Sequence, residues 1–190
     1  KLPDGIVEVK LQAPGVHNVY NALAAAAAAI AAGIGKVSIA AGLESFQGVK
    51  GRLQKKSGLH HAQLIDDTYN ANPESVRAAL AVLAATTGKK ILVLGDMGEL
   101  GKSAIDLHRT IGRDARNAGL DQLFTLGELS AYAAEEFGKG ARHFNDIDEL
   151  LHATESLLAD DVTLLVKGSR FMRMERVVRQ LEQPVEPSCC

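Results

Sequence analysis

The chain has 190 residues, 46% of them hydrophobic, which is enough for a real core: one full domain plus a remnant, or one large domain, and not a disordered segment. Its 21 basic and 23 acidic residues give a net charge of -2 and a sequence pI near 6.3, which excludes a global field drawing it to nucleic acid or anionic lipid. Any anion it binds must be held by a local site. The only cysteines, Cys189 and Cys190, stand side by side at the end and read as a tail, which excludes a disulfide scaffold and suits a reducing cytosol.

Lys1 to Gly5 carries neither a methionine nor a signal-peptide layout. The alternation of Ile6-Val7-Glu8-Val9-Lys10-Leu11 predicts a half-buried strand in mid-domain, so the expectation is a piece of a longer protein. Pro14-Gly15 turns the chain into an alanine-rich helix from about Asn18 to Ala32, stopped by Gly33 and Gly35. Its apolar run, Ala22 to Ala32, is far shorter than the ~20 residues a bilayer requires. A second helix is expected from Ser38, with Ile39, Leu43 and Phe46 on one face, ending near Gln47-Gly48. Gly48 to Gly58, rich in Gly and Lys, reads as a linker between domains 1–48 and 49–190.

Beyond residue 59 an apolar strand, a polar or glycine-rich loop and an amphipathic helix recur. Ala62 to Asp66 precedes a helix capped by Asn72, with Pro73 first and Val76, Leu80 and Leu83 inward. Ile91 to Leu94 precedes one that presents Ile105, His108, Ile111 and Ala115, and Leu123 to Leu126 precedes Ser130 to Phe137. A short strand at Arg142 to Phe144 leads to a helix opened by Asp146 and Glu149, an acidic variant of the capping box. Val162 to Val166 precedes a helix from Met172 to Leu181. Strands alternating with helices imply crossover connections, hence a doubly wound α/β domain with a mainly parallel sheet. In such sheets ligands sit beyond the carboxyl ends of the strands, after Asp66, Leu94, Leu126 and Val166.

Four segments carry candidate chemistry. In Gly15-Val16-His17-Asn18-Val19-Tyr20-Asn21 two amides one turn apart suit the edge of a purine, although Asn18 would equally serve as an N-cap and His17 as a surface residue. Asp66-Asp67-Thr68-Tyr69-Asn70 concentrates carboxylates, hydrogen-bonding groups and a ring where a strand meets the crevice, which suits a ribose or phosphate; a plain polar loop is the other reading of Asp67 and Asn70. Gly98-Glu99-Leu100-Gly101-Lys102-Ser103 matches a short phosphate-loop pattern between a strand and a helix. There Asp96 takes the place of the longer pattern's first glycine, and its charge and that of Glu99 would oppose a polyphosphate. Lys167-Gly168-Ser169-Arg170, followed by Arg173 and Arg176, puts cations at a strand end where a helix N-terminus is already positive, which favours a carboxylate or phosphate partner; a solvated basic helix start is the other reading.

Together these segments resemble the Mur ligases, and within them the branch that adds D-alanyl-D-alanine. The resemblance rests on Gly15-Val16-His17-Asn18-Val19-Tyr20-Asn21-Ala22-Leu23-Ala24-Ala25, Asp66-Asp67-Thr68-Tyr69-Asn70-Ala71-Asn72-Pro73, Leu94-Gly95-Asp96-Met97-Gly98-Glu99-Leu100-Gly101 and Val166-Lys167-Gly168-Ser169-Arg170-Phe171-Met172-Arg173-Met174-Glu175, in the family's order. Ala13-Pro14 departs from the bulkier or basic lead-in common there.

The resemblance implies that residues 1–48 end a central ATPase domain and that 49–190 form a Rossmann-like C-terminal domain. It also implies that the phosphate loop and magnesium-binding residues lie upstream, leaving no metal ligand in this chain. By the same resemblance His17, Asn18 and Asn21 would lie by the adenine, Arg52 would reach the ATP phosphates, and Asp67, with Asn70 beside it, would hold the nucleotide ribose. Lys167, Ser169 and Arg170 would face the incoming dipeptide or the reacting acyl group, with Arg52 and Lys167 as the catalytic cations. The implied activity is a cytoplasmic, monomeric, ATP- and Mg2+-dependent ligase joining D-alanyl-D-alanine to UDP-N-acetylmuramoyl-tripeptide in peptidoglycan precursor synthesis, with the isolated chain folded but inactive. A phosphate-loop NTPase using Lys102 and a small-molecule-binding Rossmann-like module without catalysis remain as rivals.

Overall fold

The computed structural model of the chain describes residues 5–12, 15–46 and 48–184, with His17 described by its backbone alone. The Ala13-Pro14 lead-in and turn and the Cys189-Cys190 tail lie outside the described residues. Two compact units form, Lys1–Val49 and Lys50–Cys190. Among the described residues no helix is long and apolar enough to cross a membrane.

In the first unit, α1 (Val16–Ala31) starts two residues before the expected Asn18. Gly15 is the N-cap, its φ of 97° open to glycine, so Asn18 is not a cap and lies in the first turn, its N–H donating to Gly15 O at 3.0 Å. The helix ends in a Schellman motif: Gly33 N–H donates to Ile30 O and Ile34 N–H to Ala29 O, with Gly33 at φ 78°. Helix α2 (Lys36–Ser45) follows, with Ile39 buried.

The strand expected at Ile6 to Leu11 does not form. Its alternation persists in burial, with Val7, Val9 and Leu11 half-buried and Ile6, Glu8 and Lys10 exposed. A strand needs a neighbour's backbone, and here the Lys10 N–H goes instead to the Glu44 carboxylate at 3.1 Å.

The second unit is a six-stranded sheet in the order β1-β2-β6-β3-β4-β5. Strands β2 (Gln63–Asp67), β3 (Lys89–Gly95), β4 (Gln122–Leu126), β5 (Ala141–Phe144) and β6 (Val162–Lys167) are parallel. Strand β1 (Gln54–Ser57) runs antiparallel to β2 at one edge, inside the segment expected to be a linker. Gln-Lys-Lys-Ser offers no apolar residue by which to read a strand; Lys56 instead reaches Glu182 with both carboxylate oxygens at 2.8 Å, and Lys55 is exposed.

Handedness fixes the layers. The chain steps outward through β2, β3, β4 and β5, and right-handed crossovers put α3 (Pro73–Ala84), α4 (Ala104–Asn117) and α5 (Ala131–Phe137) on one face. It then reverses to insert β6 between β2 and β3, so α6 (Ile147–Glu155) and α7 (Glu175–Leu181) cover the other. The period-two alternation of the strands supplies both cores: Ile65, Leu92, Leu94, Leu123 and Leu165 face α3–α5, whereas Leu64, Ile91, Val93, Phe124, Leu164 and Val166 face α6 and α7.

Helix starts follow local chemistry. Asn72 caps α3 and exchanges hydrogen bonds with Ser75 in a capping box, and Asp146 Oδ1 accepts from the Asp148 and Glu149 N–H groups at α6. On α4 the inward stripe is His108, Ile111, Gly112 and Ala115, while the expected Ile105 is exposed. The helix expected from Met172 starts at Glu175, because a 3-10 turn (Arg170–Met172) and left-handed Arg173, φ 50°, intervene.

The turn that leads into α5 is held from another strand end. Asp96 Oδ1, beyond β3, accepts from Leu129 N–H at 3.1 Å and Ser130 N–H at 2.7 Å. Gly127 permits this: its φ is +119°, and a Cβ there would lie 2.5 Å from Asp96 Oδ1. Gly127→Ala is therefore expected to lower the unfolding free energy by about 1–3 kcal/mol from backbone strain alone, with the Asp96 clash adding to it. Gly119, also at positive φ (+75°) but with nothing within 4 Å of its Cβ position, is the reference. In urea denaturation, a loss for Gly127→Ala no larger than for Gly119→Ala would show that the Asp96 contact contributes nothing.

Candidate functional site

The carboxyl ends of β2, β3 and β6 bring distant segments together. In the parallel register Asp67 lies opposite Lys167, and Lys167 lies opposite Leu94. The Lys167 ammonium donates to Asp67 Oδ2 at 2.6 Å and to Asn70 O at 2.8 Å, and its side chain is 2% exposed. Asp67 Oδ1 accepts from the Leu53 N–H at 3.1 Å, and Leu53 takes a left-handed φ of 48°. Burial pushes the Asp67 carboxyl above its usual range, against the opposing pull of Lys167 and the Leu53 N–H. Burial likewise pushes the Lys167 ammonium down, Asp67 holds it up, and the Arg52 charge lowers it further.

Arg52 stands on the segment entering β1, which the Tyr69 N–H ties to Gly51 O at 2.9 Å. Its guanidinium lies 4.3 Å from the Tyr69 ring centroid, a cation–π contact beside the β2 loop. Asp66 holds that loop by accepting from Thr68 N–H at 3.2 Å and Thr68 Oγ1 at 2.7 Å. Asn70 is exposed, and its Oδ1 accepts from the Ala71 N–H at 2.8 Å.

Ser169 is buried, not displayed. Its hydroxyl donates to Ala71 O at 3.1 Å and accepts from the Gly98 N–H at 2.6 Å, while its own N–H donates to Asp96 O at 3.0 Å. Arg170 is exposed and meets Glu175 at 3.6 Å. The structure therefore brings Arg52, Asp67, Asn70, Lys167, Ser169 and Arg170 to one set of strand ends. Asn18 and Asn21 belong to the first unit, where Asn21 Nδ2 donates to Asn18 Oδ1 at 3.2 Å on one helix face. The His17 side chain lies outside the described residues.

The Gly98–Ser103 loop is built differently from a phosphate cradle. Its first amide, the Gly98 N–H, is taken by the Ser169 hydroxyl, the preceding Met97 N–H goes to His108 Nε2 at 2.9 Å, and Gly101–Ser103 closes as a 3-10 turn. Asp96 points away from the loop to the turn before α5, where the Leu129 and Ser130 N–H groups donate to its carboxylate. Sequence reasoning missed Tyr69 as the brace of Arg52, the Leu53 N–H on Asp67, and His108 as a loop anchor. Of these only Tyr69, an aromatic residue on a crevice loop, left a signal.

Residues 51–170 match the family described as Mur ligase, glutamate ligase domain, and the chain belongs to the Mur ligase family. Its relatives include the UDP-N-acetylmuramoyl-tripeptide--D-alanyl-D-alanine ligase of Escherichia coli K12, 42% identical over 183 residues, 95% of this chain and 40% of that protein. The enzyme of that name from Haemophilus influenzae is 38% identical over 190 residues, 97% of this chain and 41% of that one. A crystal structure of MurF from Acinetobacter baumannii superposes with a TM-score of 0.87 at 40% identity, covering 94% of this chain and 40% of that one. The chain thus spans about two fifths of the length of the relatives it matches.

The buried pair makes a direct stability prediction. Lys167→Met leaves the Asp67 carboxylate uncompensated and is expected to cost about 3–5 kcal/mol, whereas replacing both partners by apolar residues costs much less than the sum of the singles. Urea denaturation of Lys167→Met, Asp67→Leu and the double variant measures this; additive losses would show that the two side chains act independently.

Proposed function

We propose that this chain is the C-terminal portion of an ATP-dependent ligase that joins D-alanyl-D-alanine to UDP-N-acetylmuramoyl-tripeptide in peptidoglycan precursor synthesis. On this reading residues 1–48 end a central ATPase domain and 49–190 form the C-terminal domain. The observation that carries the reading is the strand-end cluster: the exposed Arg52 guanidinium stacked on Tyr69 and an exposed Arg170, at the same strand ends as the buried Asp67–Lys167 pair. The high identity to ligases of this name supports the substrates.

The reaction transfers the γ-phosphoryl group of ATP to the terminal carboxylate of the tripeptide, giving an acyl phosphate and ADP. The dipeptide amine then attacks the acyl carbon, loses a proton and expels inorganic phosphate, leaving an amide. Negative charge grows on phosphoryl oxygens and on the tetrahedral carbon's oxygen, and pre-oriented cations lower that barrier. Arg52 suits this role: it offers a planar cation, and Tyr69 holds that plane without consuming its N–H donors. Arg170 suits the carboxylate of the incoming dipeptide. Asp67 retains acceptor capacity for ribose hydroxyls, with Asn70 beside it, and Asn18 and Asn21 offer amides for an adenine edge. Lys167, expected at the acyl group, is held by Asp67 and Asn70 O, so its charge acts through the groups it orients.

Magnesium belongs to this chemistry as a counter-charge for ATP. Among the described residues no group of three or more His, Cys, Asp or Glu side chains is arranged to hold a metal ion.

The test is ligation by the full-length protein with UDP-N-acetylmuramoyl-tripeptide, ATP, magnesium and D-alanyl-D-alanine, read as phosphate release and product mass. Arg52→Ala is expected to lower kcat by about 100- to 1000-fold, the scale of removing one charge-stabilising donor. Lys102→Ala leaves it unchanged, and residues 1–190 alone give no product. Absence of ligation by the wild type, together with ATP turnover abolished by Lys102→Ala, would overturn the reading in favour of a phosphate-loop NTPase.

A further inference from the structure

His108 is a fully buried histidine that the ligation chemistry leaves unused. Its two ring nitrogens have opposite partners. Nδ1 lies 2.7 Å from Ala104 O, which can only accept, and Nε2 lies 2.9 Å from the Met97 N–H, which can only donate. The ring is therefore neutral, with its hydrogen on Nδ1 and a lone pair on Nε2. A side chain on α4 thus holds the backbone of the loop after β3.

The next amide in that loop, Gly98 N–H, is the one that donates to the Ser169 hydroxyl at 2.6 Å. The residue before, Asp96, is fixed at both ends, by its carboxylate to Leu129 and Ser130 N–H and by its carbonyl to Ser169 N–H. Ser169 passes the connection on, because its hydroxyl hydrogen goes to Ala71 O, next to the Asn70 whose carbonyl receives Lys167. Three strand ends are joined through one hydroxyl, and the main chain of that serine leads directly into exposed Arg170. A Cβ at Gly98 would lie 2.9 Å from Cε1 of the exposed Phe171 ring and 3.5 Å from Ser169 Oγ, so the loop runs close against the segment that carries the serine.

We infer that His108 is a positioning residue for ligation: through the Met97 and Gly98 amides it sets the place of Ser169, and thereby of Arg170 at the dipeptide's carboxylate. This rests on the function proposed above. His108 touches no substrate; it acts by holding the polarity of a relay in which Ser169 must receive from Gly98 and give to Ala71. Ser169 on this account is a clip between loops and not a ligand of the dipeptide.

The experiment compares His108→Leu, which keeps bulk but offers no acceptor, with His108→Gln, whose Oε1 can stand where Nε2 stood. In the full-length protein His108→Leu is expected to lower kcat/KM for D-alanyl-D-alanine by up to about 100-fold, the cost of a small misplacement, while KM for ATP stays at its wild-type value. His108→Gln restores most of the loss. Ser169→Ala gives the same signature, and combining it with His108→Leu adds little, because both cut one relay. In the 190-residue chain, amide exchange at Gly98 speeds up in His108→Leu and Ser169→Ala and recovers in His108→Gln.

Unchanged exchange at Gly98, or wild-type dipeptide kinetics despite faster exchange, overturns the inference. So does a parallel loss for ATP and dipeptide that follows a fall in Tm and is not rescued by Gln. If His108→Leu does not fold, the Ser169→Ala and His108→Gln kinetics carry the test. A wild type that ligates nothing overturns the proposed function itself, and the exchange result then decides separately whether the relay exists.

Discussion

A lysine ammonium and a carboxylate 2.6 Å apart, almost out of reach of water, set the terms for the rest of this domain. Neither charge could be buried alone, because the loss of hydration exceeds what a single hydrogen bond returns. Each is tolerated through the other and through backbone groups: Leu53 N–H on the aspartate, Asn70 O on the lysine. Those backbone groups are in turn constrained, Leu53 into a left-handed conformation and Asn70 into a loop pinned by Asp66 and Tyr69. The position of Arg52, one residue before Leu53, follows from the needs of a charge pair it does not join.

The pair exists because β6 is inserted late. Had the chain continued outward after β5, β2 and β3 would have been neighbours and Lys167 would have had no acidic residue in register. The reversal puts β6 between them, so that Asp67 and Leu94 flank Lys167 on its two sides. It also places α6 and α7 on the far face, leaving the ends of β2, β3 and β6 to be joined by short loops. Topology, not local sequence, creates the concentration of polar groups there.

Much of this was legible. The apolar runs of β2, β3, β4 and β6, the Asn72-Pro73 and Asp146 helix starts, and hence the α/β architecture follow from periodicity and capping. What was not legible has specific physical causes. Strand β1 carries no apolar residue, being held by pairing to β2 and by the Lys56–Glu182 ion pair. Ile6 to Leu11 has the alternation of a strand without a ladder to join. Arg173 breaks the last helix by a backbone conformation that no residue preference at that position announces. In the candidate site, Asp67 and Lys167 were each visible at a strand end, but their contact spans 100 residues and depends on strand order. Arg52 became a candidate only through family resemblance, and His108 read as a core residue because its polar function faces inward.

The lysines of β1 have a consequence outside the site. An open sheet ends in strands whose outer backbone groups are a template for any other extended chain, including another copy of this one. On this edge a newcomer would have to lie alongside exposed Lys55 and next to the Lys56–Glu182 pair, stripping water from fixed charge before gaining a single backbone hydrogen bond. The same residues that hid the strand from a reading by hydrophobicity thus disfavour growth of the sheet at its β1 edge.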